Sequence, residues 1–256
     1  MTGSTGVVIQ ARTDSSRFPS KVLKKIMGRS VLFHVIERCK KFASADKVIL
    51  ATTNRAKDDI LSAIAGECRI GVYRGSIDDV LDRYYQCAKD YGLENIIRVT
   101  ADCPFLDIDL GNMVINRFLN SRYDYGRTGL SYPDGLNIEI FSFESLNKAW
   151  NCAKLRSERE HVTPYFWKNP ELFKILNVES ESDLSIYCLT LDYPEDLIFI
   201  RKIYKKLFHI QKTFGLQAII DLLKSDSKIY QIMPKSRRLE GYYKSLSEDA
   251  TSRAAE

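Results

Sequence analysis

No apolar run in this 256-residue chain approaches the roughly 18–20 residues that cross a bilayer. The opening stretch, Met1 to Gly6, lacks the basic-then-apolar layout of a secretion signal. The expectation is a cytoplasmic protein with no membrane partner. Cysteine is present but unpatterned: Cys39, Cys68, Cys87, Cys103, Cys152 and Cys188 form no C-x-x-C pair. That spacing excludes a zinc knuckle, and a chain of this length folds without disulfide staples. The six read as reduced, mostly buried thiols. Neither common phosphate fingerprint occurs, since both G-x-x-x-x-G-K-[ST] and G-x-G-x-x-G are missing. The net charge is only +5, without the dense basic stripe of a nucleic-acid binder. No nucleic-acid partner is expected. Internal repeats and low-complexity tracts are absent.

What is present is an ordinary globular composition, 45% hydrophobic and 28% charged. The length suits one substantial α/β domain, alone or with a small extra lobe. Gly6 to Ala11 reads as a buried strand, too short for a helix and rich in β-branched residues. Ser30 to Cys39 reads as a helix with Ser30 as N-cap. Lys47 to Thr52 is a second strand, and Asp58 to Ala65 a helix stopped by Gly66. A short segment around Val72 precedes a helix over Asp78 to Tyr91. Asn95 to Thr100 is a strand, and Asp107 to Leu119 a helix. This βαβαβαβα alternation predicts a doubly wound, mostly parallel sheet with helices on both faces. The second half is less regular. Asn137 to Ser142 and Ile186 to Leu191 look like strands; Glu144 to Ala153, Glu158 to Trp167, Pro194 to Leu207 and Phe214 to Leu223 look helical. We divide the chain into an α/β domain over 1–210 and a helical extension over 211–256, frayed from Ser247.

The loop after the first strand, Arg12 to Lys21, offers three cations, several hydroxyls and free backbone N–H groups. In open α/β sheets ligands bind beyond the carboxyl ends of the strands, where this loop begins. Those are the parts that hold a triphosphate, although a solvated basic loop has the same composition. The blocks Ile9-Gln10-Ala11-Arg12 and Ser16-Arg17-Phe18-Pro19-Ser20-Lys21-Val22-Leu23 resemble the opening signature of the cytidylyltransferases, which include the CMP-KDO and CMP-sialic acid synthetases. The spore coat polysaccharide biosynthesis protein F group is the narrower resemblance. Further blocks follow in family order: Asp79 to Tyr84, Arg98 to Pro104, Pro133 to Glu139, Arg159 to Pro164 and Leu191 to Leu197.

The resemblance implies a Rossmann-like nucleotide-diphospho-sugar transferase fold. It also implies transfer of CMP from CTP to a sugar acid or related small acceptor, with release of pyrophosphate. Gln10, Ala11, Arg12, Arg17 and Lys21 would line the nucleotide, and Arg12, Arg17, Lys21 and Asp102 would act in catalysis. Asp102 and Asp192 each follow a predicted strand, where the bland reading is an N-cap. The resemblance makes them ligands of Mg²⁺, which takes one or two carboxylates alongside phosphates. Asp107-Ile108-Asp109 opens a helix, where acids favour the dipole, and is read as capping. Arg74, Ser76 and Asp79 are candidates for the base end of the nucleotide, against ordinary helix capping. Asp134, Glu139, Arg159 and His161 are candidates for holding the acceptor. Asn137 stands where related sequences carry an acid, so no catalytic role is assigned to it. His34 and His209 are read as non-functional. A homodimer is expected by resemblance. The alternatives are a nucleotide-sugar-dependent glycosyltransferase of the same fold and a non-catalytic nucleotide-binding relative.

Overall fold

The computed structural model describes residues 4–254, and side chains as far as residue 251. Strand β1 (Thr5–Gln10) lies in the middle of the sheet with Val7, Val8 and Ile9 fully buried. Successive strand side chains point to opposite faces. Val7 and Ile9 therefore enter the apolar cluster on one face and Val8 the cluster on the other. That is why the strand reads as continuously apolar rather than alternating.

A loop and a 3₁₀ turn (Lys21–Leu23) lead to a small hairpin, β2 (Lys25–Ile26) and β3 (Arg29–Ser30). The chain continues through α1 (Val31–Cys39), β4 (Lys47–Thr53), α2 (Asp59–Glu67), β5 (Gly71–Gly75), α3 (Val80–Asp90), β6 (Asn95–Thr100) and α4 (Ile108–Leu119). Ser30 caps α1 by accepting from the Phe33 N–H at 3.1 Å. Asp107 caps α4 by accepting from Leu110 N at 2.8 Å, and also takes Leu216 N at 2.6 Å. Asp107 is thus the cap the sequence reading expects, and Asp109 lies in the first turn of α4. Gly66 lies inside α2 instead of ending it; the chain turns at Arg69, which has a positive φ of 55°.

The second half adds β7 (Tyr125–Thr128), β8 (Glu139–Ser142), α5 (Phe143–Cys152), α6 (Arg156–His161), α7 (Pro164–Lys168) and β9 (Ile175–Val178). It ends with α8 (Pro194–Leu207), α9 (Leu216–Ser225), α10 (Ser227–Tyr230) and α11 (Glu240–Ala254). The main sheet has the order β5-β4-β1-β6-β8-β7-β9. β5, β4, β1 and β6 run parallel, and β8 pairs antiparallel with both β6 and β7. The expected mixed, mostly parallel sheet is present.

Several expectations change. The helix expected over Glu158 to Trp167 breaks at Val162, whose φ is 70°, giving α6 and α7. The strand expected over Ile186 to Leu191 is an extended segment with one isolated bridge, Asp134 to Cys188. Its backbone bonds go to loops: Leu189 N to Asp134 O at 2.7 Å and Leu191 N to Asp102 O at 2.9 Å. Residues from Ser247 to Ala254, expected to fray, belong to α11; Ala255 and Glu256 lie outside the described residues. The extension past residue 210 packs on the rest, with Phe214 against Phe105 and Tyr204.

Gly135 is where this arrangement depends on a missing side chain. Its φ is +96°, and a Cβ there would lie 2.5 Å from the backbone of Leu189 and Thr190. Gly135→Ala is expected to destabilise the fold by more than about 2 kcal/mol, combining backbone strain with a clash against main chain. Calorimetry would show the midpoint falling by several degrees.

Candidate active site

Two loops at the carboxyl edge of the sheet meet across a cavity of about 530 Å³. One is the stretch after β1; the other, after β6, carries Asp102. The cavity is lined by Gln10, Ala11, Arg12, Arg17 and Lys21 on one side and Thr100, Ala101 and Asp102 on another. Residues of α6 and α11 form the opposite wall, with Glu160, His161, Lys244 and Ser245 among them.

Asp192 reaches this place without a strand to carry it. The Leu191 N–H to Asp102 carbonyl bond holds the two chain segments side by side. Asp196, at the start of α8, then accepts from Asp192 N at 2.7 Å and Tyr193 N at 2.8 Å, turning the backbone so that Asp192 faces inward. Lys21 donates to Asp102 Oδ2 at 2.6 Å and to Asp192 Oδ1 at 2.8 Å. Arg17 also donates to Asp192 Oδ1, and to Glu240 Oε2 of α11 at 3.1 Å. Asp192 itself stands behind Lys21 and Arg17 and is not part of the cavity lining.

Lys21 is only 9% exposed. Burial opposes its charge, but Asp102 and Asp192 outweigh that and hold its pKa above the ordinary lysine value. Burial likewise pushes the Asp102 carboxyl up, yet Lys21 wins and holds it below the usual range. Both groups are therefore charged at neutral pH. Among the described residues no cluster of three or more His, Cys, Asp or Glu is suited to a metal.

Arg83 is a residue that the sequence reading does not single out. It projects from α3, lines the cavity and is 2% exposed. Its Nε and Nη1 have no hydrogen-bond partner among the described residues. Burial lowers its pKa and Arg12 adds to the shift, while Tyr84, Asp58 and Asp79 oppose it without cancelling it. Gln10 Oε1, also on the cavity wall, is buried and unpartnered too. An unpaired guanidinium in such a place is costly unless a ligand completes it.

Several nominated residues are engaged elsewhere. Arg74 brackets β5 to β4, donating to Thr53 O at 2.9 Å, Arg55 O at 2.8 Å and Asp59 Oδ1 at 2.5 Å. Ser76 accepts from Asp78 N and Asp79 N, at 3.2 and 3.1 Å. Asp79 caps α3 through Asp82 N at 2.8 Å and pairs with Arg159, whose Nε lies 2.8 Å away. Arg159 also donates to the Trp150 carbonyl at 2.7 Å. Glu139 is buried against Arg98 and Tyr125. None of these five lines the cavity; each has its charge or hydrogen-bonding capacity taken by a partner.

Asp134 is buried beside the extended segment, bonded to Asn137 at 3.4 Å and Ser236 at 3.4 Å. Burial raises its pKa, with Arg238 opposing. His161 does face the cavity, with Nε2 3.1 Å from Ser245 Oγ, which also donates to Glu160 at 2.9 Å. Burial lowers the pKa of His161, helped by Arg98 and Arg12 and opposed by Glu160. His34 is lowered by burial as well, its ring bonded to the Ile26 carbonyl at 2.8 Å. A histidine depressed in the fold binds its proton first in the unfolded chain. The stability the two contribute is complete above the ordinary imidazole value near 6.5 and is lost as pH falls through their lower folded values. The unfolding midpoint is expected to drop as pH goes from 7.5 towards 5, with a smaller drop in His161→Gln.

The sheet is Rossmann-like, with a cationic loop after β1 and an acid after β6 at its carboxyl edge, and together with the family match this makes the protein a nucleotidyltransferase. The sequence pattern of the cytidylyltransferase family matches residues 6–233, and the chain belongs to that family. Three proteins show how far the likeness extends. An uncharacterized protein of Methanocaldococcus jannaschii is 37% identical over 238 residues, 90% of this chain and 95% of that one. Spore coat polysaccharide biosynthesis protein SpsF of Bacillus subtilis is 31% identical over 206 residues, 78% of this chain and 85% of its own. The solved structure of a cytidylyltransferase from Leptospira borgpetersenii superimposes with a TM-score of 0.86 at 30% identity, covering 91% of this chain and 98% of that one. The family membership favours a nucleotidyltransferase over the glycosyltransferase alternative. No described helix is long and apolar enough to cross a membrane.

Proposed function

We propose that this enzyme transfers CMP from CTP to a small sugar acid or related anionic acceptor, in the making of a surface polysaccharide or glycoconjugate precursor. The observation that carries the reading is Lys21, buried between Asp102 and Asp192 and flanked on the cavity wall by Arg12 and Arg17. Three cations on one loop suit a polyanion such as a triphosphate, and Arg12 and Arg17 add the forked geometry that phosphate oxygens accept. In this reading Arg12, Arg17 and Lys21 grip the phosphates and neutralise the leaving pyrophosphate. Arg17 exchanges its Glu240 partner for a phosphate oxygen. The α6–α11 wall, with His161, faces the acceptor. Arg83 pairs with an anionic group of one of the two substrates. The likeness to the spore coat polysaccharide protein supports the biosynthetic setting.

A divalent cation, Mg²⁺ by preference, fits the donor chemistry here. Asp102 and Asp192 offer hard carboxylate oxygens already gathered around one positive centre, the Lys21 ammonium. Those two residues would hold it, and when bound it would supply charge neutralisation at the phosphates. The chain's own part is positional: the Asp196 bonds hold Asp192 in place, and the Leu191–Asp102 backbone bond sets its distance from Asp102.

The test is pyrophosphate release from each of the four NTPs with a panel of acidic sugars and phosphonates. CTP is expected to be the preferred donor. Preference for another NTP, or consumption of a sugar nucleotide with no pyrophosphate formed, would overturn the reading.

A further inference from the structure

The loop that carries Arg12, Arg17 and Lys21 is long, and most of its charged groups have no regular element beneath them. Something must hold its shape, because a flexible cation array loses much of its binding energy to ordering. The bonds converge on Thr13. Its carbonyl accepts from Ser15 N at 3.1 Å and from Ser20 N at 2.9 Å, closing the loop on itself just before Lys21. Its amide and hydroxyl both donate to one oxygen of Asp58, at 2.8 and 2.6 Å. The other Asp58 oxygen accepts from Thr53 Oγ1, at the end of β4. Asp58 is fully buried, and Thr13 nearly so.

We infer that Asp58 is a positioning residue for catalysis: one of its oxygens clamps the phosphate-binding loop and the other clamps the neighbouring strand. Asp58 touches neither the cavity nor any group that would contact substrate, so it acts through Thr13. The outer contacts cannot do the same work. Asp14 pairs with Arg55 and Lys57 across the same gap, but these groups are 41–48% exposed and such pairs contribute little. A buried carboxylate accepting three hydrogen bonds is a far stiffer link, since breaking one strands a desolvated charge.

The inference rests on the proposed role of the loop in gripping the phosphates of CTP, and the experiment separates the two. Thr13→Val keeps the shape and removes the hydroxyl bond; Thr13→Ser restores it; Asp58→Asn alters the carboxylate. Each is measured for CTP affinity by calorimetric titration without acceptor, for kcat and KM, and for thermal midpoint. Thr13→Val and Asp58→Asn are expected to weaken CTP binding about tenfold each at temperatures well below unfolding, and Thr13→Ser to bind like the parent. The double variant should be no worse than the weaker single one, because both cut one link. CTP affinity unchanged in Thr13→Val and Asp58→Asn would overturn the inference even if their midpoints fell. A parent protein that bound no CTP would instead overturn the phosphate-gripping role of the loop. Should Asp58→Asn not fold, the Thr13 pair decides alone.

Discussion

Asp102→Asn is expected to lower pyrophosphate release from CTP by about 10³-fold or more, with the fold intact. The substitution preserves shape and removes one negative charge. Asp102 is ionised in the parent, because Lys21 at 2.6 Å outweighs the burial that would protonate it. Lys21 keeps Asp192 as a partner at 2.8 Å, so the ammonium is not stranded and the thermal midpoint should move by no more than a few degrees. In the proposed reading, what is lost is one of the two carboxylates that would hold a divalent cation, the one on the cavity wall, and Asp192 alone does not make up for it. The loss should appear in kcat more than in KM, since the charge is needed most as the pyrophosphate departs. Raising the Mg²⁺ or Mn²⁺ concentration should recover little. Activity within tenfold of the parent would remove Asp102 from the mechanism.

The elements legible in the sequence are those whose local chemistry and burial agree. Asn95–Thr100 and Pro194–Leu207 have the same bounds in the structure as in the sequence reading. The first is a short apolar run ending beside a functional loop, and the second starts with proline at a helical first turn, where the missing N–H costs nothing. β7 and β9 are not legible because they are four residues each, with Gly126 in one and Asn177 in the other breaking any apolar pattern. The Ile186–Leu191 segment carries a strand's composition, yet its hydrogen bonds go to loops, a distinction that sequence does not record.

The same limit governs the site. A charge in a sequence does not announce whether a distant residue has claimed it. Arg98 takes Glu139 from 41 positions away, and Arg159 takes Asp79 from 80. The loop cations and the two aspartates can be placed because their blocks resemble a family. The contribution of α11, through Glu240 and Ser245, comes from a stretch whose polar composition suggests only a tail. Arg83 lies inside the block Asp79 to Tyr84, on a helix whose apolar stripe accounts for its tyrosines, and nothing in the sequence marks this arginine as buried and unpaired.

Arg83→Met is expected to raise the thermal midpoint by a few degrees and lower kcat/KM by about 10²-fold, two effects of opposite sign from one substitution. The stability gain follows from the free protein's geometry. The guanidinium is 2% exposed with Nε and Nη1 unpartnered, so the fold carries a desolvated charge with little to offset it. Replacing such a charge by an apolar chain of similar length is neutral or stabilising by about 1–4 kcal/mol. Met suits the site because its flexible thioether can follow the path of the arginine stem, which packs where a Cβ on Gly75 would come within 3.3 Å of Cγ. The activity loss follows from the same vacancy in the hydrogen-bonding pattern. An anionic substrate group that would pair with the guanidinium meets a methyl-terminated chain, and a charge left unpaired against a buried wall costs roughly 2–5 kcal/mol. A merely structural arginine would show the reverse pattern, with the midpoint falling and turnover per folded molecule unchanged. Arg83→Lys divides the contribution further: it restores charge without the fork, so recovery of most activity would mean a point charge suffices, and little recovery would mean the ligand is held through two parallel bonds.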